Sequence, residues 1–124
     1  MSKTADSVTT VSELKDLVRK FCEDRDWDQY HNAKDLAIGV ITESSELLEH
    51  FRFKSNLEIE QMLKHPKKRE EIGDEMADIL YFLLRLAQRY DIDLASELKK
   101  KIDKNEMKYP VEKAKGSNKK YTEL

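Results

Sequence analysis

Residues 75–87 read EMADILYFLLRLA. Wound as a helix, the part from Ile79 to Ala87 is apolar almost all round: Ile79, Leu80, Tyr81, Phe82, Leu83, Leu84, Leu86 and Ala87. A helix with no polar face is buried on all sides. A chain of 124 residues can hardly surround a helix by itself. The stretch therefore predicts an all-α fold, a helical bundle of about five helices, with a subunit interface along this helix. Glu75 and Asp78 open this stretch one turn apart, so both carboxylates leave the same helix face.

Working outward, a second i,i+3 pair stands upstream. Glu43 and Glu46 lie in TESSELLEHF, residues 42–51, and 28 residues separate Glu46 from Glu75. Their helix, expected over 33–53, carries Leu36, Val40, Leu47 and Phe51 on one face, widened by Ile41 and Leu48, with Asn32 as N-cap. A first helix over 11–26 opens on the capping-box pattern Thr10-Val-Ser-Glu13 and repeats Leu14, Leu17, Val18 and Phe21 at helical spacing. Ser55 caps a short third helix, 56–64. Pro66 suits the first turn of the fourth, 67–90. Asp93 caps a fifth, 94–108, which Pro110 ends. Residues 1–9 read as a flexible N-terminus, 10–110 as the helical domain, and 111–124 as a polar tail.

Composition narrows the function. The 23 basic and 25 acidic residues leave a net charge of −2, which gives no general reason to bind nucleic acid or an anionic membrane. Cys22 is the single cysteine, so no internal disulfide forms and a reducing cytoplasm is the simplest setting. No apolar run is long enough to span a bilayer. Cys22 itself reads as a small core residue.

Carboxylates on helices are mostly solvated surface. Here Glu43 and Glu46 flank an apolar face, and Asp78 opens the most hydrophobic stretch of the chain. Two such pairs meeting across a bundle repel one another and raise their own pKa values; a cation removes the conflict. A di-iron bundle wants Glu-x-x-His on two helices, whereas Glu46 and His50 are four apart and the second pair has no His. Zinc is disfavoured for want of Cys/His clusters. Oxygen ligands point to Mg²⁺, with Mn²⁺ as the alternative, and Mg²⁺ commonly bridges to substrate phosphates.

The ordered motif Glu43-x-x-Glu46 then Glu75-x-x-Asp78 resembles that of the MazG-type all-α nucleoside triphosphate pyrophosphohydrolases. RDWDQYH (25–31), ESSELLEHFRFK (43–54), Tyr109-Pro110 and KYTEL (120–124) look most like the dCTP pyrophosphatase branch. The resemblance implies hydrolysis of a nucleoside triphosphate to the monophosphate and diphosphate in nucleotide-pool house-cleaning, with Glu43, Glu46, Glu75 and Asp78 as metal ligands. It implies nucleotide contacts from Trp27, Tyr30, His31, Phe53 and Phe82, and assembly as a dimer of dimers around a four-helix-bundle core completed by oligomerisation. It also implies phosphate contacts near the end of the fifth helix, from Lys101, Asn105, Lys108 and Tyr109; as bare charges these would be a solvated helix end that suits the macrodipole. The chain departs from the branch at Phe53, where those enzymes tend to carry Trp, at Phe82, where they tend to carry Tyr, and at Val18, which is His in the animal enzymes. Each change removes a polar group that could read a base or sugar.

For proton transfer, Glu46 is the first candidate as general base and Glu49, one turn on, the second. The competing readings are a dUTP or phosphoribosyl-ATP pyrophosphohydrolase, and a helical dimerisation module without turnover.

Overall fold

The computed structural model describes residues 3–124; of the N-terminal segment 1–9, the first two residues lie outside those described. Among the described residues all regular structure is helical. The order is α1 (Val11–Glu23), α2 (Ala33–Glu49), α3 (Asn56–Met62), α4 (Pro66–Arg89), α5 (Leu94–Lys108) and a short α6 (Val111–Ala114), then one 3₁₀ turn (Tyr121–Glu123). Two compact units result, Met1–Asp91 and Ile92–Leu124.

The starts of the helices follow local chemistry. Thr10 and Glu13 form a reciprocal capping box on α1, and Ser55 and Glu58 do the same on α3. The side chains of Asn32 and Asp93 accept the N–H groups of Asp35 and Ser96. Pro66 stands in the first turn of α4, where its missing N–H costs nothing. The ends come earlier than apolar periodicity indicates. α1 stops at Glu23 rather than near 26, and Asp26 takes a left-handed φ of 57°. α2 stops at Glu49 rather than near 53, and Phe53 takes φ 64°. The expected third helix to 64 closes at Met62. In each case the chain must reverse toward the next helix, and tertiary geometry overrides the side-chain pattern.

In the first unit, α4 packs chiefly against α2 and also against α1. Its buried apolar residues are Cys22 from α1, Leu36 from α2, and Ile72, Leu84 and Ala87 from α4. This core is small. Leu80 and Leu83 on α4 and Ile41 and Leu48 on α2 remain exposed, Ile41 at 69%. The all-round apolar α4 is thus covered only in part within one chain.

One residue inside that apolar stretch is charged. Arg85 is fully buried, at 0% exposure. A buried guanidinium is tolerated only when paired and hydrogen-bonded, and Arg85 is both. It bonds Asp28, His31 Nδ1 (3.0 Å) and Gln88 Oε1 (2.5 Å). These contacts tie the loop between α1 and α2 to the C-terminal turns of α4.

In the second unit, Tyr109 closes α5 by donating its N–H to Asn105 O, and its ring meets the edge of Tyr121 at 6.2 Å. The Lys108 ammonium lies 5.6 Å from the Tyr121 ring centroid.

Candidate metal centre

The α2–α4 contact carries the site. Gly39 lies against Phe82, Glu43 beside Asp78, and His50 beside Glu75. Rising numbers on α2 thus meet falling numbers on α4, so the two helices run antiparallel. That arrangement brings the two i,i+3 pairs together at one level of the bundle.

Glu43, Glu75 and Asp78 each offer one carboxylate oxygen, and these oxygens all lie within 4.8 Å of one another. Glu43 and Glu75 are half-buried and Asp78 is exposed, so the cluster has a dry side and a solvent side. Glu43 Oε2 and Glu75 Oε2 are buried with no hydrogen-bond partner. A buried carboxylate oxygen left unpaired is costly. Glu43 shows the strain in its acidity. A hydrogen bond shared with Glu46, burial, and repulsion from Glu46, Asp78 and Glu75 push it up to about 7. Such a donor set, all oxygen with two unsatisfied lone-pair sites, fits a hard divalent cation.

The other residues named from sequence fall in distinct places. Glu46 is exposed and reaches Glu43; the convergent trio itself is Glu43, Glu75 and Asp78. Glu49 is exposed and pairs with Arg52 at 3.2 Å. His50, which caps the end of α2, stands 3.6 Å from Glu75 Oε1. Trp27 meets the edges of Phe21 (5.6 Å) and His31 (6.0 Å). Tyr30 is 62% exposed. Phe53 stands out of the α2–α3 turn at 90% exposure, with the Arg52 guanidinium over its ring at 4.5 Å. Phe82 is half-buried, its ring against Gly39 and edge-on to Tyr81 at 5.0 Å. Val18 lines a shallow apolar groove of about 250 Å³ with Leu17, Phe21 and Tyr81. The Cys22 thiol is buried, as expected, and meets Tyr81 Oη at 3.1 Å. Lys101, Asn105, Lys108 and Tyr109 belong to α5 and its cap in the second unit; Asn105 is half-buried and the three others are exposed.

Arg85 and Gly39 are the residues that sequence reading passed over. Arg85 was masked by eight apolar neighbours. Gly39 gave a signal that can be read in retrospect: a glycine in mid-helix is unfavourable unless another group needs the space.

Comparison with known proteins gives the family. Residues 39–124 match the model of the MazG-like family. The dCTP pyrophosphatase 1 of Rattus norvegicus is 36% identical over 115 residues, spanning 93% of this chain and 68% of that protein. The Homo sapiens dCTP pyrophosphatase 1 is 34% identical over the same shares. Among solved structures, a pyrophosphatase from Archaeoglobus fulgidus superposes with a TM-score of 0.76 at 36% identity, covering 87% of this chain and 99% of that one. Two antiparallel helices bearing facing acidic pairs, and sequence likeness over nearly the full length, lead to one conclusion: this chain belongs to the MazG-like family.

Proposed function

We propose that the chain is a divalent-metal-dependent nucleoside triphosphate pyrophosphohydrolase. It converts a (d)NTP and water to the (d)NMP and diphosphate, with dCTP or another dNTP as substrate and pool cleaning as its role. The observation that carries this reading is the convergence of Glu43, Glu75 and Asp78 with two buried oxygens unpartnered, in a chain similar to dCTP pyrophosphatase 1 and to the Archaeoglobus fulgidus pyrophosphatase.

Mg²⁺, or Mn²⁺ in its place, would be held by Glu43, Glu75 and Asp78 with Glu46 at the rim. When bound it supplies charge neutralisation and polarisation of phosphoryl oxygens. Glu46 is exposed and lies outside the convergent trio, which leaves it able to accept the proton of the attacking water; Glu49, paired with Arg52, is the second choice. Trp27, Tyr30, His31, Phe53 and Phe82 supply aromatic faces and edges for the base. By the family resemblance, Lys101, Asn105, Lys108 and Tyr109 are the phosphate contacts, to this chain's substrate or a neighbouring subunit's. The apolar groove at Val18 holds no polar reader for a base edge, so discrimination among bases rests on the remaining contacts.

We further propose a homo-oligomer, a dimer of dimers, because Leu80, Leu83 and Met76 of α4 are 40% to 58% exposed in the single chain and such apolar patches favour a partner surface. The setting is cytoplasmic, without a nucleic-acid partner; among the described residues no helix is long and apolar enough to cross a membrane.

The test is diphosphate release from each dNTP, NTP and phosphoribosyl-ATP, with Mg²⁺ and with EDTA, for the wild type and Glu46→Ala. Metal-dependent release of monophosphate and diphosphate, lost in the variant, is the expected result, and it ranks dCTP against dUTP in the same plate. A folded oligomer that turns over none of these substrates is instead a binding module.

A further inference from the structure

The Arg85 network assigns a chemical state to His31. A guanidinium stays charged and has only N–H donors. Arg85 Nε donates to His31 Nδ1 at 3.0 Å, so Nδ1 must carry a lone pair. A neutral imidazole with Nδ1 unprotonated bears its proton on Nε2. An imidazolium would point an N–H at an N–H.

The surroundings hold this state. Arg85 and Arg89 face His31 from α4, and Asp28 faces it from its own loop. Asp28 is committed to the two arginines: it pairs with Arg85, and Arg89 Nη1 lies 3.6 Å from its second oxygen. Arg85 beside it keeps the Asp28 carboxyl below its ordinary range. Burial and the Arg85 charge likewise hold His31 below its ordinary value, against the smaller opposing pull of Asp28. Arg89 Nε further lies 3.4 Å from the His31 carbonyl, and the Trp27 ring flanks the imidazole.

We infer that Arg85 is a positioning residue: it fixes His31 as a neutral Nε2–H donor, so that the 27–31 segment offers one uncharged hydrogen bond to an acceptor oxygen of the bound nucleotide. The use of that donor rests on the nucleotide reading above; the tautomer does not. A neutral donor suits an oxygen and rejects an amino group at the same place. The oxygen belongs either to the base or to a phosphate, and the experiment separates them.

The experiment is a long-range ¹⁵N–¹H correlation spectrum of the full-length protein's histidines, with His31 assigned from His31→Gln, recorded from pH 6 to 8. A single His31 species protonated at Nε2 and bare at Nδ1 throughout is the expected result. An imidazolium, or a proton on Nδ1, in that range overturns the inference without any variant of Arg85. In Arg85→Gln the tautomers should mix and the ring should titrate, and KM for the best nucleotide should rise about tenfold, the loss of one hydrogen bond, with kcat changed less. Unaltered His31 resonances in a folded Arg85→Gln overturn the positioning role. His31→Gln, whose amide N–H replaces Nε2–H, should keep KM far nearer the wild type than His31→Ala. Mg²⁺ with tripolyphosphate, and separately deoxycytidine, are the probes for the acceptor: a shift of Nε2 with the first assigns a phosphate oxygen, with the second a base oxygen. No shift with either, or with both together, overturns the role as donor to nucleotide. The predicted tautomer and a probe shift in a protein without turnover would sink the pyrophosphatase reading and leave this one standing.

Discussion

Gly39 of α2 is seated against the ring of Phe82 of α4: a Cβ added at Gly39 would lie 2.4 Å from Phe82 Cδ1 and 2.7 Å from Cγ. One turn along α2 is Glu43, and one turn back along α4 is Asp78. The contact between a bare backbone and a ring therefore helps set how closely the two acidic pairs approach.

Gly39→Ala should destabilise the protein by about 1–3 kcal/mol, because the ring must leave its place, although Ala is the better helix former. It should also weaken the metal response, since the helices are wedged apart beside Glu43. Urea unfolding measures the first effect, and titration of the melting temperature with Mg²⁺ the second. Pairing it with Phe82→Leu should recover part of both losses.

Metal binding should be visible as stability. Mg²⁺ with a non-hydrolysable nucleotide should raise the wild-type melting temperature by mass action. Asp78→Ala and Glu43→Ala should abolish the rise while remaining folded, since Asp78 is exposed and Glu43 is already in conflict with its neighbours. A full response in both variants would place the metal elsewhere.

The metal-free protein should lose stability as pH rises through about 7. Glu43 is pushed above its ordinary 4.5 to about 7 by the bond it shares with Glu46, by burial and by the nearby Asp78 and Glu75. Between those values the folded chain holds a proton that the unfolded chain has lost, so the stabilisation is complete below 4.5 and fades on approach to 7. Glu43→Gln should flatten that slope in thermal melts with EDTA. Metal binding has the opposite sign: the cation competes with the proton, so the Mg²⁺-induced rise in melting temperature should be larger at pH 8 than at pH 6.

Leu36→Ala should cost about 2–5 kcal/mol. Leu36 is 1% exposed and belongs to a core of few fully buried apolar residues. Denaturant unfolding of the variant is the check; a loss under 1 kcal/mol would mean that the α2–α4 contact rests on other groups.

Much of this molecule can be read along the chain. Thr10, Asn32, Ser55, Pro66 and Asp93 announce the helix starts because capping is chemistry between residues three apart. The pairs Glu43/Glu46 and Glu75/Asp78 announce a site because residues one turn apart share a face. What lay beyond sequence depends on contacts between residues far apart in it. Periodicity carried α2 past Glu49, yet the turn through Phe53 ends it. The convergence of Glu43 with Glu75 and Asp78, rather than of all four acids equally, follows from the antiparallel register of α2 on α4. Arg85 looked like a lone interruption in an apolar run. Only the fold shows that Asp28 and His31, more than fifty residues away, arrive to neutralise and orient it. Local pattern determined which groups exist and which faces they share; desolvation and packing across the bundle decided which of them meet.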